Sequence, residues 1–578
     1  MWSKVLKTLV IVTYSLMILG PVVISIDRLW SVTGIPPWRG VGLLFELGVA
    51  KEALTYTLAV SLVGVLFTLG FGLPLAIVLS RYNWKRLTLL RAVLVLPFAC
   101  PAIVAAVGFL ALLDSGGPLY YFGIDFYQQS GIVGDFSNAL GFDNAGQFIA
   151  LALALSWFNI SLVIRFVEPT LAKMAPIWEE QMKLLPQGNN FSKRVRHLYA
   201  PILTPGIIAS AGLTFVFSFT SFALVRWLAP SANTLETLMA DNGGSAGIYG
   251  YRIASSELVL ASSITQLLIL GLAMWLVSHM QGLHNTRVAV VAEKFRRKST
   301  AEAGWAAKII LYCGIVFAVA PLFLTLYSSL RIRVVGSSSV ESTWSLEGWR
   351  VAWNGDLSYA GIGEALGNSL IYALITLAIA LPLGWMMADV IHSLELRGKK
   401  KLARLVDVIS FLPLVVSAVM AGLGILLGII KWFPELFGWY LLPVWAHVMM
   451  VTPFVVRVML PAIRSLDQHY IEQAKVLGLS RLSQFHKVTL PSLKGPVIVA
   501  SALCLAFSLG EFGATWVLAR TGDWTTLSIL VDDLLGRPNY FPATRPAAMA
   551  SATILMLTTL ALFIISEKFR GGEESGGF

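Results

Sequence analysis

Apolar residues gather in this chain into long runs separated by short polar stretches. Twelve runs can be marked, at about 5–25, 53–79, 91–113, 146–166, 202–222, 257–279, 306–329, 366–390, 404–430, 438–460, 496–518 and 546–566. About 20 mostly apolar residues suffice for a helix to cross a bilayer. Lipid offers the backbone no hydrogen bonds, so every run is read as helix. The first follows Lys4 and Lys7 like a signal peptide. No small-x-small site ends it, and it continues through Pro21 to Asp27, so it is read as retained.

Composition agrees with this pattern. Of 578 residues 56% are hydrophobic and only 13% charged, with a mean hydropathy of +0.74. Soluble domains carry about 25% charged residues. A disordered chain, a nucleic-acid-binding domain and an ordinary cytosolic enzyme are excluded. The net charge of +11 comes from basic clusters between the runs. One cluster is Arg81, Lys85, Arg86 and Arg91. The next stretch, 92–164, has no Lys or Arg but holds Asp114, Asp125, Asp135 and Asp143. Basic residues return at Arg165, Lys173, Lys183, Lys193, Arg194 and Arg196, then at Arg287–Lys298 and Arg397–Arg404. The positive-inside rule makes these loops cytoplasmic, along with both termini. Arg226, Arg252, Arg331, Arg333 and Arg520 run against the majority. The three cysteines lie far apart in apolar runs and the seven histidines are scattered, so neither a disulfide framework nor a metal site is expected.

The chain is written twice. Arg165, Glu168 and Pro169 lead to Glu180-Gln181, as Arg457, Leu460 and Pro461 lead to Glu472-Gln473, with an Arg-to-Glu spacing of 15 both times. Leu96-Pro97 with Gly108 matches Leu412-Pro413 with Gly424. Leu73-Pro74-Leu75 recurs as Leu381-Pro382-Leu383, and Phe217-Ser218-Phe219 as Phe507-Ser508-Leu509. The expected organisation is a first half at 1–285, a cytoplasmic linker at 286–305 and a second half at 306–578. An even number of spans per half makes the repeats parallel, with a solute path between them.

The loop at 460–491 reads Glu472-Gln473-Ala474-Lys475-Val476-Leu477-Gly478, then nine residues, then Val488-Thr489-Leu490-Pro491. Pro461 and Pro491 bracket a good helix former. Leu466, Tyr470 or Ile471, Ala474 and Leu477 fall at helical spacing, and Gly478 suits a left-handed helix end. A short amphipathic helix is expected, lying across the cytoplasmic face. Small Ala474 and Gly478 would admit a partner surface. The loop at 168–201 is a degraded copy. Glu180-Gln181-Met182-Lys183 aligns with Glu472-Gln473-Ala474-Lys475, Gly188 sits two residues late, and Leu198-Tyr199-Ala200-Pro201 closes it. Met182 and Pro186 suggest unequal loops, with a substitution such as Gly478→Asp costing more than Gly188→Asp.

These loops resemble the EAA loop of ABC-importer membrane subunits, and the resemblance extends over nearly the whole chain. It implies an all-α permease of about twelve spans in a bacterial or archaeal cytoplasmic membrane, working by alternating access. It implies that Glu180, Gln181, Gly188, Pro201, Glu472, Gln473, Ala474, Gly478, Leu490 and Pro491 couple to ATPase subunits. Fused double permeases of this kind are similar to those for ferric iron and thiamine. Gly510-Glu511-Phe512-Gly513-Ala514-Thr515 is similar to a segment of molybdate and sulfate permeases, so the class is implied and the solute stays open. The chain has no G-x-x-x-x-G-K-[ST] loop. It is therefore expected to be no enzyme, with no catalytic residue and no cofactor. ATP and Mg would be bound by two partner ATPase subunits, and an extracytoplasmic binding protein would deliver the solute.

Candidate pathway residues are Glu511, its aligned position Ser221, and His447. A carboxylate in a span should face water or the bundle interior. Glu511 could line the path or be a structural group bonded to a residue such as Arg520. His447 could instead join helices. Arg165 and Arg457 could snorkel to headgroups or anchor Glu180 and Glu472. The rivals are a twelve-span secondary transporter and a membrane-embedded enzyme. Few ionisable residues lie at mid-membrane for the first, and no acid–base cluster is seen for the second.

Overall fold

The computed structural model describes residues 4–113, 117–127, 132–141, 144–172, 174, 176–244, 253–284, 298–299, 302–335, 340–466, 468–519, 524–538 and 541–570. Asp114, Asp143, Lys173, Arg252, Arg520 and most of the expected linker lie outside these residues.

The first half builds α1 (Lys4–Thr33), α2 (Gly48–Arg81), α3 (Leu87–Ala99), α4 (Ala102–Leu113), α5 (Ala145–Ala172), α6 (Pro176–Leu184), α7 (Ala200–Phe219), α8 (Ala223–Leu228), α9 (Leu235–Gly243) and α10 (Ile253–His284). The second half repeats the order. It builds α11 (Trp305–Ser329), α12 (Ile362–Leu396), α13 (Lys400–Val415), α14 (Ala418–Trp432), α15 (Leu442–Ser465), α16 (Gln468–Val476), α17 (Lys494–Gly510), α18 (Gly513–Leu518), α19 (Leu527–Gly536) and α20 (Thr544–Arg570). Short helices decorate the connections. One hairpin, β1 (Arg331–Val335) with β2 (Val340–Trp344), follows α11. The protein is an all-α membrane protein. Among the described residues nine helices are long and apolar enough to cross a bilayer, or up to twelve if each bent pair is one span.

Three of the twelve runs are broken within their length. Run 91–113 bends by 101° between α3 and α4, and run 404–430 by 88° between α13 and α14. Run 496–518 stops being helical at Glu511 and Phe512, between α17 and α18. The freed backbone groups find partners locally. Ser417 accepts from the Met420 N–H at 3.2 Å, and Glu511 does the same for α18. Broken helices survive at membrane depth where protein or a cavity surrounds them, a condition that run length alone does not reveal.

The halves are interlocked rather than side by side. Helix α1 packs on α14 and α12, and α11 packs on α4 and α2. Tyr14 donates to the Ser410 carbonyl at 3.2 Å, and the Trp157 indole to the Ala318 carbonyl at 3.2 Å. Tyr14 and Ile18 are buried against second-half residues such as Tyr372 and Met420. A first helix that crosses to the opposite half leaves no mark on the hydropathy pattern.

Candidate functional site

Helices α6 and α16 lie at equivalent places, each between a long helix and a π-helical turn at Val195–Tyr199 or Phe485–Thr489. The turn has a cause in sequence. Ala200 and Leu490 bond back five residues to Val195 and Phe485, and each is followed by a proline that cannot donate, Pro201 or Pro491.

Helix α16 ends in the expected left-handed glycine, Gly478 at φ +71°. The Leu479 N–H bonds the Ala474 carbonyl at 3.1 Å and the Gly478 N–H bonds that of Lys475 at 3.0 Å. This pair of bonds is a Schellman motif. Ala474 is buried within the chain, so it does not present its methyl to a partner. Tyr470, Val476 and Leu477 are exposed instead, and Glu472 and Gln473 point outward with them. Helix α6 likewise exposes Ile177 and Leu184, with Glu180 and Gln181. Apolar side chains this open, repeated on both loops, mark a surface for another molecule.

The loops are held differently. Arg81 donates to Glu179 of α6 at 2.8 Å and to the Tyr199 hydroxyl at 2.6 Å. Burial pushes the Glu179 carboxyl up, but Arg81, Tyr199 and Lys183 together hold it below its ordinary value. Gly188 has no left-handed backbone. It is buried, and a Cβ there would run into the Met182 carbonyl. Among the described residues, Arg165 is not paired with Glu180, nor Arg457 with Glu472. Arg457 pairs with Asp407 at 3.1 Å and lies 3.5 Å over the Phe411 ring. Arg165 lies 5.4 Å over Phe98 and 3.9 Å from Glu567.

Between the halves is a cavity of about 260 Å³. The helix breaks line it, with Cys100 and Pro101, Thr220 and Ser221, Ser417, and Gly510 and Glu511. Phenylalanines supply much of the wall. Phe507 stacks on Phe454 at 4.3 Å, and Phe98 meets Phe158, Phe217 and Phe507 at about 6 Å. Phe222 and Phe512 occupy aligned places after α7 and α17 and stack across the halves at 5.4 Å. No Lys, Arg or His is among the described lining residues. Sequence reasoning missed this ring cluster. Only the Phe217/Phe507 repeat signalled it.

The structure brings two of the three pathway candidates to the cavity. Ser221 and Glu511 line it, and His447 stands behind Glu511. The Glu511 carboxylate accepts from the Ala514 and Thr515 N–H groups at 2.9 and 3.0 Å and from the Thr515 hydroxyl at 2.6 Å. His447 Nε2 lies 2.8 Å from that hydroxyl and 3.2 Å from Glu511, and Nδ1 lies 2.8 Å from the Ser508 hydroxyl. Thr515 has one proton and gives it to Glu511. His447 Nε2 must therefore be the donor, with Nδ1 accepting from Ser508 in the neutral ring.

A family model described as binding-protein-dependent transport system inner membrane component matches residues 380–569. Over 560 residues the chain is 23% identical to the thiamine transport system permease protein ThiP of Haemophilus influenzae, covering 95% of this chain and 94% of that one. It is 24% identical over 530 residues to the protein of the same name from Brucella abortus, covering 90% and 87%. It is 30% identical over 210 residues to the sulfate transport system permease protein CysW of Escherichia coli, covering 34% of this chain and 70% of that one.

Proposed function

Because the chain belongs to the family of binding-protein-dependent transport system inner membrane components, and is thus the membrane permease of an ATP-driven importer rather than an enzyme, we propose that it carries thiamine or a closely similar small cation. The full-length similarity to two thiamine permeases carries this reading, since the sulfate permease matches about a third of the chain. The cavity favours the same choice. Phenylalanine faces attract cations, and the one acidic lining residue, Glu511, adds negative potential. A sulfate ion there would meet ring faces and a carboxylate with no cationic side chain among the lining residues.

The repeats at 1–285 and 306–578 rock about this cavity. Helices α6 and α16 each dock one ATPase subunit through their exposed apolar residues, with both termini on the same cytoplasmic face. A binding protein delivers solute to the opposite face. Loading moves nothing covalent in this chain. Work done at the coupling helices is transmitted through α5, α7 and their repeats to the helix breaks.

The test is purification of the tagged chain with the products of neighbouring genes, followed by ATP hydrolysis in lipid nanodiscs. An ATPase at two copies per permease, stimulated by a binding protein loaded with thiamine but not sulfate, is the expected result. Stimulation by sulfate alone would overturn the solute. A permease purifying without any ATPase would overturn the two-subunit arrangement.

A further inference from the structure

Phe222 lines the cavity, and its ring meets Trp516 of the other half at 5.2 Å. One helical turn later comes Arg226, whose guanidinium lies 4.7 Å over the same indole. Arg226 Nε donates to Asp532 of α19 at 2.9 Å and its NH2 group to the second oxygen at 3.4 Å. The indoles of Trp227 and Trp516 also donate to Asp532, at 2.8 and 3.0 Å. The Asp532 side chain is 8% exposed. Of its four donors, three come from the first half. All four lie in the segments after α7 and α17, away from the coupling helices.

The arrangement is single. The positions aligned with Arg226 and Asp532 hold Trp516 and Ala240, so the pseudo-twofold supplies no second copy. Arg226 has another acid close by. Asp241, in α9 of its own half, is 3.9 Å away and half exposed.

We propose that Arg226 is a two-position latch on the end of the path opposite the coupling helices. With that end closed, Arg226 is bonded to Asp532 and ties the halves together over the Phe222–Phe512 stack. When the halves part there, Asp532 keeps only Trp516, and Arg226 moves to Asp241. A charge-assisted pair that is buried when closed and lost when open biases the resting permease toward closure. The nearby acid lowers the cost of release, because Arg226 is never left without a carboxylate. The latch rests on the importer reading for its function, but its test needs no partner subunit.

Cys100 is a native reporter, buried and lining the cavity. In a Cys313→Ser/Cys504→Ala chain, its labelling by a membrane-impermeant thiol reagent is followed from the face opposite α6 and α16. Asp532→Asn is expected to speed labelling by about tenfold. Asp241→Asn is expected to slow it roughly twofold, because the open position of Arg226 loses its partner. Arg226→Asp/Asp532→Arg is expected to bring the rate back toward that of the parent. Equal rates in all variants, or Asp532→Asn and Asp241→Asn moving together, would overturn the latch. Asp241 is half exposed, so its replacement is expected to leave the fold intact. Should Asp532→Asn fail to reach the membrane, the direction of the Asp241→Asn change decides the matter. Failure of the importer reading would show separately, as a chain that co-purifies with no ATPase.

Discussion

The carbonyl of Pro321 lies 2.7 Å from where a Cβ on Gly108 would stand, and Pro21 approaches Gly424 in the same way. Each proline is in the first helix of one half and each glycine in the opposite half, so these two contacts are the crossing points of the exchange. A methyl at either glycine must push the crossing helix away, since the obstructing atoms are backbone and cannot rotate aside. Gly108→Ala and Gly424→Ala are each expected to cost about 1–3 kcal/mol, read as a fall in the unfolding temperature of the detergent-solubilised protein. Gly20→Ala is the control, with nothing within 4 Å of the added Cβ. Equal behaviour of the three variants would mean that the crossing helices are not held at these glycines.

The two loop glycines answer to different demands. Gly478 is in open space, and its φ of +71° is the only demand on it. Asn and Asp tolerate that region better than other side chains, so Gly478→Asn is expected to cost no more than about 1 kcal/mol. Gly188 faces the Met182 carbonyl with no room for a Cβ. Gly188→Ala should therefore lower solute-stimulated ATP hydrolysis and loop stability more than Gly478→Asn does. A Gly188→Ala protein with full coupling would contradict the packing argument.

Much of this was legible in the residues. Run length gave the spans, the repeat gave the pairing of elements, and Gly478 announced its own backbone. The missing parts share a cause. Helix breaks at Cys100, Ser417 and Glu511 occur inside predominantly apolar runs, because the protein around them satisfies the backbone. The exchange of α1 and α11 is a tertiary choice that hydropathy does not encode. Arg226 was visible as an exception to the charge rule, whereas nothing singled out Asp532. Nothing along the chain joins two residues 306 positions apart.

The Arg81–Glu179 pair should fasten α6 throughout the neutral range. Glu179 is held below its ordinary value, which for a free Glu is about 4.3. A depressed folded value means that the pair stabilises above the unfolded value and is lost as pH falls through the folded one. Amide exchange of residues 176–184, corrected for intrinsic rates, should thus be flat near neutrality and rise only in acid. Glu179→Gln should raise exchange by a factor of a few at neutral pH, as suits a partly exposed pair worth roughly 0.2–1 kcal/mol. Protection that changes between mildly acidic and mildly basic solution would point to another anchor.

Glu511 invites a solute-binding role, yet its bonds point first to the break that it occupies. Both oxygens are engaged by α18 and His447, and the side chain is 7% exposed. Its charge acts on the cavity as a field, while its atoms cap the helix. Glu511→Ala leaves two N–H groups without their acceptor and should cost about 1–2 kcal/mol. His447→Ala acts on the same network, so the double variant should lose less than the sum of the singles. Solute dependence separates the two roles. A capping residue predicts a lower unfolding temperature and a lower maximal rate of solute-stimulated hydrolysis, with half-saturation little changed. The reverse result, unchanged stability with half-saturation raised tenfold or more in Glu511→Ala, would place the carboxylate on the solute.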